Sequence, residues 1–173
     1  TIFNLLGPLL NPARPGRQLI GVYTPRMTRV FAEVLRQLGR ERAWVVHGLI
    51  GEDAGMDDIS TGGVTTRAEL ADGRVSSAVI DTRWLGIPEA ALDDLRGGDS
   101  AMNAQLLTGI LTGETQGAKR DLALVNASGG FVAAGIARDM SEGIWLAKQQ
   151  IESGRALEKL RALQEMFARA GAH

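Results

Sequence analysis

The chain has 173 residues, within the length of one domain, and 45% of them are apolar, enough for a core of its own. Nineteen Lys and Arg against 20 Asp and Glu leave a net charge of -1, so the positive field that draws proteins onto nucleic acid or an acidic membrane is missing. Cysteine is absent, which excludes disulfides, thiolate metal sites and cysteine nucleophiles together.

The chain opens on Thr1-Ile2-Phe3-Asn4-Leu5-Leu6-Gly7-Pro8-Leu9-Leu10-Asn11-Pro12, an apolar start without Met or a polar lead-in. It reads as the middle of a protein or as a start that packs on its own core, and Ile2 to Leu10, without upstream cover, is expected to fold against itself or to be hidden between chains. The longest apolar stretches stop well short of the ~20 residues that span a bilayer, and no secretory leader is recognisable. A cytoplasmic protein without membrane contact is expected.

Gln18 to Tyr23 (QLIGVY) predicts a strand. Thr24-Pro25 then supplies a cap residue and a proline at the first helical position. Val30, Phe31, Val34, Leu35 and Leu38 predict one apolar face of a helix over 26–38, closed by Gly39. Ala43 to His47 is the next strand. Strand, helix and strand form a βαβ unit, so the two strands are expected to lie parallel.

Asp72-Gly73 within Thr65 to Ile80 predicts a hairpin that would make the sheet mixed. Pro88 is expected to open a short helix ending near Gly97-Gly98. Asp99 or Ser100 caps the next, with Met102, Leu106, Leu107, Ile110 and Leu111 on one face. A further helix over Lys119 to Gly135 carries the small residues Ala127, Ser128, Gly129, Gly130, Ala133 and Ala134, which permit close backbone approach. Asp139 with Glu142 reads as a capping-box variant opening a helix to Gly154, and Leu157, Leu160, Leu163 and Phe167 form the last helical stripe. The expected class is α/β, one domain over 1–173 with a mixed, mainly parallel sheet flanked by helices.

The segment from Gly48 to Gly63 holds four carboxylates and five glycines in sixteen residues. Ligands of open α/β sheets bind outside the carboxyl ends of the strands, and this segment leaves one such end. Adjacent carboxylates suit Mg²⁺, which takes one or two of them and fills its shell with water and substrate phosphates; a solvated acidic loop is the plainer alternative. His47, a lone histidine at a strand end, fits a packed residue better than a general base. Gly62-Gly63 is weak as a phosphate cradle, and Arg14-Pro15-Gly16-Arg17 reads as a turn more readily than as an anion contact. With His173 the only other histidine, neither a zinc site nor a Ser-His-Asp triad has support.

Thr1 to Pro12, then QLIGVY at 18–23, VVHG at 45–48 and Gly55-Met56-Asp57-Asp58-Ile59-Ser60 resemble the anthranilate phosphoribosyltransferase family in order and spacing. So do Asn103-Ala104, Asn126-Ala127, and Glu142-Gly143 through Ile151-Glu152-Ser153-Gly154. The resemblance implies the larger α/β domain of the nucleoside phosphorylase/phosphoribosyltransferase fold, without its N-terminal helical domain. It further implies transfer of the phosphoribosyl group of phosphoribosyl pyrophosphate (PRPP) to anthranilate in tryptophan biosynthesis, with Mg²⁺ as cofactor and a homodimer when full length. Asp57 and Asp58 match the metal-binding acids of the family motif. The family usually carries Glu at the second place, so contact of Asp58 with metal is expected directly or through water. The family's phosphate loop, its Lys-His-Gly-Asn segment and its anthranilate-contacting arginine would lie before Thr1, so the catalytic residues are expected upstream and the chain inactive by itself. Two alternatives share the architecture, a nucleic-acid-binding relative that would need a basic surface and a pyrimidine nucleoside phosphorylase that the opening motif fits less well.

Overall fold

The computed structural model describes residues 7–51 and 54–170, so Thr1 to Leu6, and with them most of the apolar opening, lie outside the described residues. The elements follow in the order β1 (Arg17–Gly21), α1 (Pro25–Gln37), β2 (Arg42–Ile50), β3 (Ala54–Met56), β4 (Thr65–Ala71) and β5 (Arg74–Ile80). A 3₁₀ turn (Thr82–Leu85) then leads to α2 (Leu92–Leu95), α3 (Ser100–Thr112), α4 (Ala118–Ala133), α5 (Met140–Glu152) and α6 (Arg155–Ala170).

The βαβ unit forms as its spacing predicts. β1 and β2 are parallel neighbours in one sheet, in register from Arg17↔Arg42 to Gly21↔Val46, joined by a helix that begins at Pro25 behind Thr24. Its buried stripe is Thr28, Phe31, Ala32 and Leu35, at i, i+3, i+4 and i+7. Val30 and Leu38, expected on that face, are exposed, because small Ala32 and the hydroxyl of Thr28, which donates to the Pro25 carbonyl at 2.8 Å, take the positions nearest the sheet. Gly39 follows at φ 72°, a left-handed conformation that glycine adopts without a Cβ penalty.

The sheet runs β1-β2-β4-β5, with β3 added to β2. It is mixed, as expected, but β1–β2 is its one parallel pairing among the described residues, and β2–β3, β2–β4 and β4–β5 are antiparallel. The expectation of a mainly parallel sheet is therefore corrected. A parallel pair needs a crossover of about a dozen residues or more, and after β2 the chain returns by turns instead. The tightest is Asp72-Gly73, with φ of 50° and 71°, both positive as a two-residue hairpin turn of type I′ requires.

β2 is buried on both faces. Ala43 and Val45 join Ile20, Phe31, Leu35, Ala68 and Leu70 in a core under α1. Trp44 and Val46 join Ile59, Val125, Val132 and Ile144 in a second core under α4 and α5. On that second face the Trp44 indole donates to Glu69 at 3.0 Å, and the Arg67 guanidinium lies 4.3 Å from the centre of the Trp44 ring.

The helical half departs from expectation in detail. Pro88 opens no helix, because the Ala90 N–H is drawn to the Thr61 carbonyl at 3.0 Å; α2 starts only at Leu92. Asp99 caps α3 through the Met102 N–H. Met102 and Leu107 on the face expected to be apolar are exposed, as are Leu163 and Phe167 of α6. Asp139 caps α5 by accepting from the Glu142 N–H, and Glu142 reaches back one residue further than a capping box does, to the Arg138 N–H at 2.8 Å.

Close approach of α4 and α5 rests on Gly143. A Cβ there would stand 2.9 Å from both Cα and the carbonyl oxygen of Ser128, and neither backbone atom can turn aside. Gly143→Ala is therefore expected to cost about 1–3 kcal/mol by overpacking, read as a lower denaturant midpoint with unchanged m-value; unchanged stability would refute this account of the α4–α5 contact.

Candidate functional site

The acid pair is placed by β3. Because Gly48 pairs with Met56 and Ile50 with Ala54, the chain leaves β3 beside the carboxyl end of β1, and Asp57-Asp58 follow at once. Two glycines admit them. A Cβ on Gly21 at the end of β1 would fall 1.6 Å from the Asp57 carbonyl oxygen, and one on Gly48 would fall 2.6 Å from that of Asp58. The backbone of 57–58 thus lies directly on two strands where no side chain intervenes.

The residues after the pair are tied down. Ile59 is fully buried; its N–H donates to Asn126 Oδ1 at 2.8 Å and its carbonyl accepts from Asn126 Nδ2 at 3.0 Å. The Ser60 N–H donates to Thr65 Oγ1 at 2.9 Å, and Thr82 Oγ1 donates to the Ser60 carbonyl at 3.2 Å. The acid pair therefore projects from rigid backbone. The Asp57 residue is exposed and Asp58 half-buried. Burial, and next the neighbouring charge of Asp57, hold the Asp58 carboxyl above the ordinary aspartate range, since leaving water penalises the charged form and a like charge penalises it again.

The other candidates separate from this pair. His47 is buried within β2, its Nδ1–H donating to the Val22 carbonyl at 2.8 Å, and Gly55 packs on the ring, where a Cβ would stand 2.7 Å from Cε1. It is a packed residue, as a lone strand histidine is expected to be. Gly62 and Gly63 press on the Ala90 carbonyl, Ile50 and the Leu49 carbonyl, so their freedom serves protein packing rather than a phosphate. Arg17 lies at the amino end of β1, paired with Glu41 at 3.4 Å and donating to the Ala134 carbonyl, away from the acids. Among the described residues no group of three or more His, Cys, Asp or Glu is placed to hold a metal. Two adjacent carboxylates, one destabilised as an anion, do fit a hard cation that draws the rest of its shell from water and phosphate.

Gly21, Gly48, Thr65 and Thr82 carry the site without having been singled out as site residues by motif. Asn126 had a legible signal, since an amide in the apolar run LALVNA is disfavoured in a helix interior unless its side chain finds a partner.

A mixed α/β sheet flanked by helices, with an acid pair at the carboxyl end of an edge strand, places that pair where open α/β sheets bind their ligands. The chain belongs to the glycosyl transferase family, a/b domain, which it matches over residues 1–157. It is 47% identical to the anthranilate phosphoribosyltransferase of Rhizobium meliloti (strain 1021) over 163 residues, 94% of this chain and 47% of that protein. To that of Mesorhizobium japonicum it is 48% identical, over 96% of this chain and 48% of that protein. The fold is similar to the anthranilate phosphoribosyltransferase of Thermus thermophilus, with a TM-score of 0.83 and 34% identity over 94% of this chain and 46% of that one. It is also similar to the Saccharomyces cerevisiae enzyme in complex with PRPP and Mg, with a TM-score of 0.81 and 26% identity over 93% of this chain and 45% of that one. The chain spans about half the length of the curated relatives it matches.

A carboxyl raised in the folded state holds its proton more tightly folded than unfolded. Stability then falls as pH rises from the ordinary aspartate value through the raised one, and stays lower at neutral pH. Asp58→Asn is accordingly expected to raise the melting temperature at neutral pH and to lose that advantage below about pH 4. Equal melting curves across that range would contradict the assignment.

Proposed function

We propose that this chain is the acid-bearing α/β part of an anthranilate phosphoribosyltransferase, acting on PRPP and anthranilate with release of pyrophosphate. The carrying observation is the Asp57-Asp58 pair, held at a strand's carboxyl end by glycines 21 and 48, in a chain 45–48% identical to curated enzymes of that name. Asp57 and Asp58 are the residues that would hold Mg²⁺, directly or through water. When bound there, the cation would neutralise the departing pyrophosphate as the ribose carbon gains positive charge.

The chain's own part is positional. The strands and the 59–60 hydrogen bonds hold the backbone that carries the two carboxylates, so little backbone reorganisation would be required when the phosphates arrive. His47, buried with its Nδ1–H donated to the Val22 carbonyl, is assigned no role in this scheme. Two carboxylates alone do not orient both reactants, and positioning of reactants accounts for as much as ~7–11 kcal/mol of such a barrier. The 173 residues alone are therefore proposed to be inactive, the complete enzyme to be a homodimer and its compartment the cytoplasm. Among the described residues no helix is long and apolar enough to cross a membrane.

The test joins this chain behind the preceding residues of the Rhizobium meliloti relative and follows anthranilate fluorescence with PRPP and Mg²⁺ present. The joined protein is expected to consume anthranilate and the 173-residue chain to leave it unchanged. Asp57→Ala with Asp58→Ala in the joined protein is expected to lose about a hundredfold or more in turnover. A folded but inactive joined protein would overturn the substrate assignment, and an unimpaired double variant the role of the acids.

A further inference from the structure

We propose that Asn126 is a positioning residue for the acid pair, setting the backbone orientation of Asp58 from a helix distant in the chain; the inference rests on the reading of Asp57 and Asp58 as the cation-holding groups. Asn126 lies in the middle of α4, 67 residues further along the chain than Ile59. Its amide grips Ile59 in both directions, accepting from the N–H at 2.8 Å and donating to the carbonyl at 3.0 Å. The same Nδ2 also donates to the Leu122 carbonyl at 3.0 Å, which anchors the side chain to its own helix.

The consequence for Asp58 follows from the peptide bond. The Ile59 N–H belongs to the planar unit that begins at the Asp58 carbonyl, so a hydrogen bond that fixes this N–H also fixes the plane leaving Asp58. From the other side, Gly48 receives the Asp58 carbonyl, the Cβ it lacks falling 2.6 Å from that oxygen. One turn along α4, Gly129 takes the Ile59 side chain, the Cβ it lacks falling 2.3 Å from Ile59 Cδ1. Strand and helix thus both contact the same peptide unit. An amide has donor and acceptor side by side, which an alanine lacks entirely and a carboxylate lacks by half. Residues that orient metal-holding groups without touching the metal commonly change metal affinity by 10–100-fold.

The test uses the 173-residue chain with Mn²⁺ as the probe, bound metal being followed by electron paramagnetic resonance and Ile59 amide exchange by NMR. Asn126→Ala is expected to speed exchange of the Ile59 amide about tenfold while the Leu49 amide, bonded to Val64 within the sheet, stays protected. Mn²⁺ affinity is expected to fall about tenfold. Asn126→Asp keeps the acceptor and is expected to keep the Ile59 amide protected, which serves also if the alanine variant fails to fold. Ser128→Ala, which removes the bond from Ser128 Oγ to the Met140 carbonyl, loosens the same helix elsewhere and is expected to lower the melting temperature without changing Mn²⁺ affinity. An Asn126→Ala chain that loses Ile59 protection yet binds Mn²⁺ like the parent overturns the positioning role alone. Mn²⁺ binding that survives Asp57→Ala with Asp58→Ala overturns the cation reading and this inference with it.

Discussion

Everything that gives the acid pair its place depends on one close approach, the backbone of 57–58 laid against the ends of β1 and β2. Two strand positions without a Cβ make it possible. With any side chain at 21 or 48 the Asp57 and Asp58 carbonyls would be driven outward, and the segment could not reach the partners that follow. The buried Ile59, the Ser60 bonds to Thr65 and Thr82, and the contact with α4 all lie downstream of that approach. Glycine costs conformational entropy in a strand. Here the cost accompanies a close approach of backbone that any side chain would block.

The same arrangement leaves an electrostatic debt. Asp58 is held partly out of water beside a second carboxylate, and the described residues answer it with firm backbone rather than with a neighbouring positive charge. Sites that keep unfavourable charge in place are a common source of the conflict between stability and activity. The rest of the chain supplies what this site withholds, with two cores on either side of β2 and exposed ion pairs such as Arg36 with Glu33 and Arg138 with Glu142. Exposed pairs of that kind contribute little each, so the cores carry the fold.

How much of this could be read beforehand differs by range along the chain. The βαβ unit, the Asp72-Gly73 hairpin and the caps at Asp99 and Asp139 are set by residues within a few positions of one another, and all were legible. The acid pair was legible as a motif, and its family resemblance agrees with the relatives found. The two antiparallel pairings that β2 makes, with β3 and with β4, were not, because a five-glycine segment can hide a short strand such as β3 without any periodicity. Nor was the role of Gly21, which depends on a segment 36 residues later in the chain. Asn126 was visible as an oddity in an apolar helix, but its partner was not, since periodicity reports which face is buried and never what lies against it. Val30 and Leu38 show the converse, apolar residues that the helix face does not use.

The hydrogen bonds between Asn126 and Ile59 have a further consequence in the connectivity. Among the described residues the five strands come from residues 17–80 and the five helices α2 to α6 from 92–170, two consecutive stretches of chain, and the bonds from Asn126 to Ile59 cross between them. The link from Arg96 to Asp99, between α2 and the four helices that follow, is exposed, the kind of segment at which chains are most readily nicked. A cut there would break no strand and no helix, and would turn the seating of Asp58 from a folding event into a binding event. The order of the acid pair would then report directly on whether the two pieces had come together.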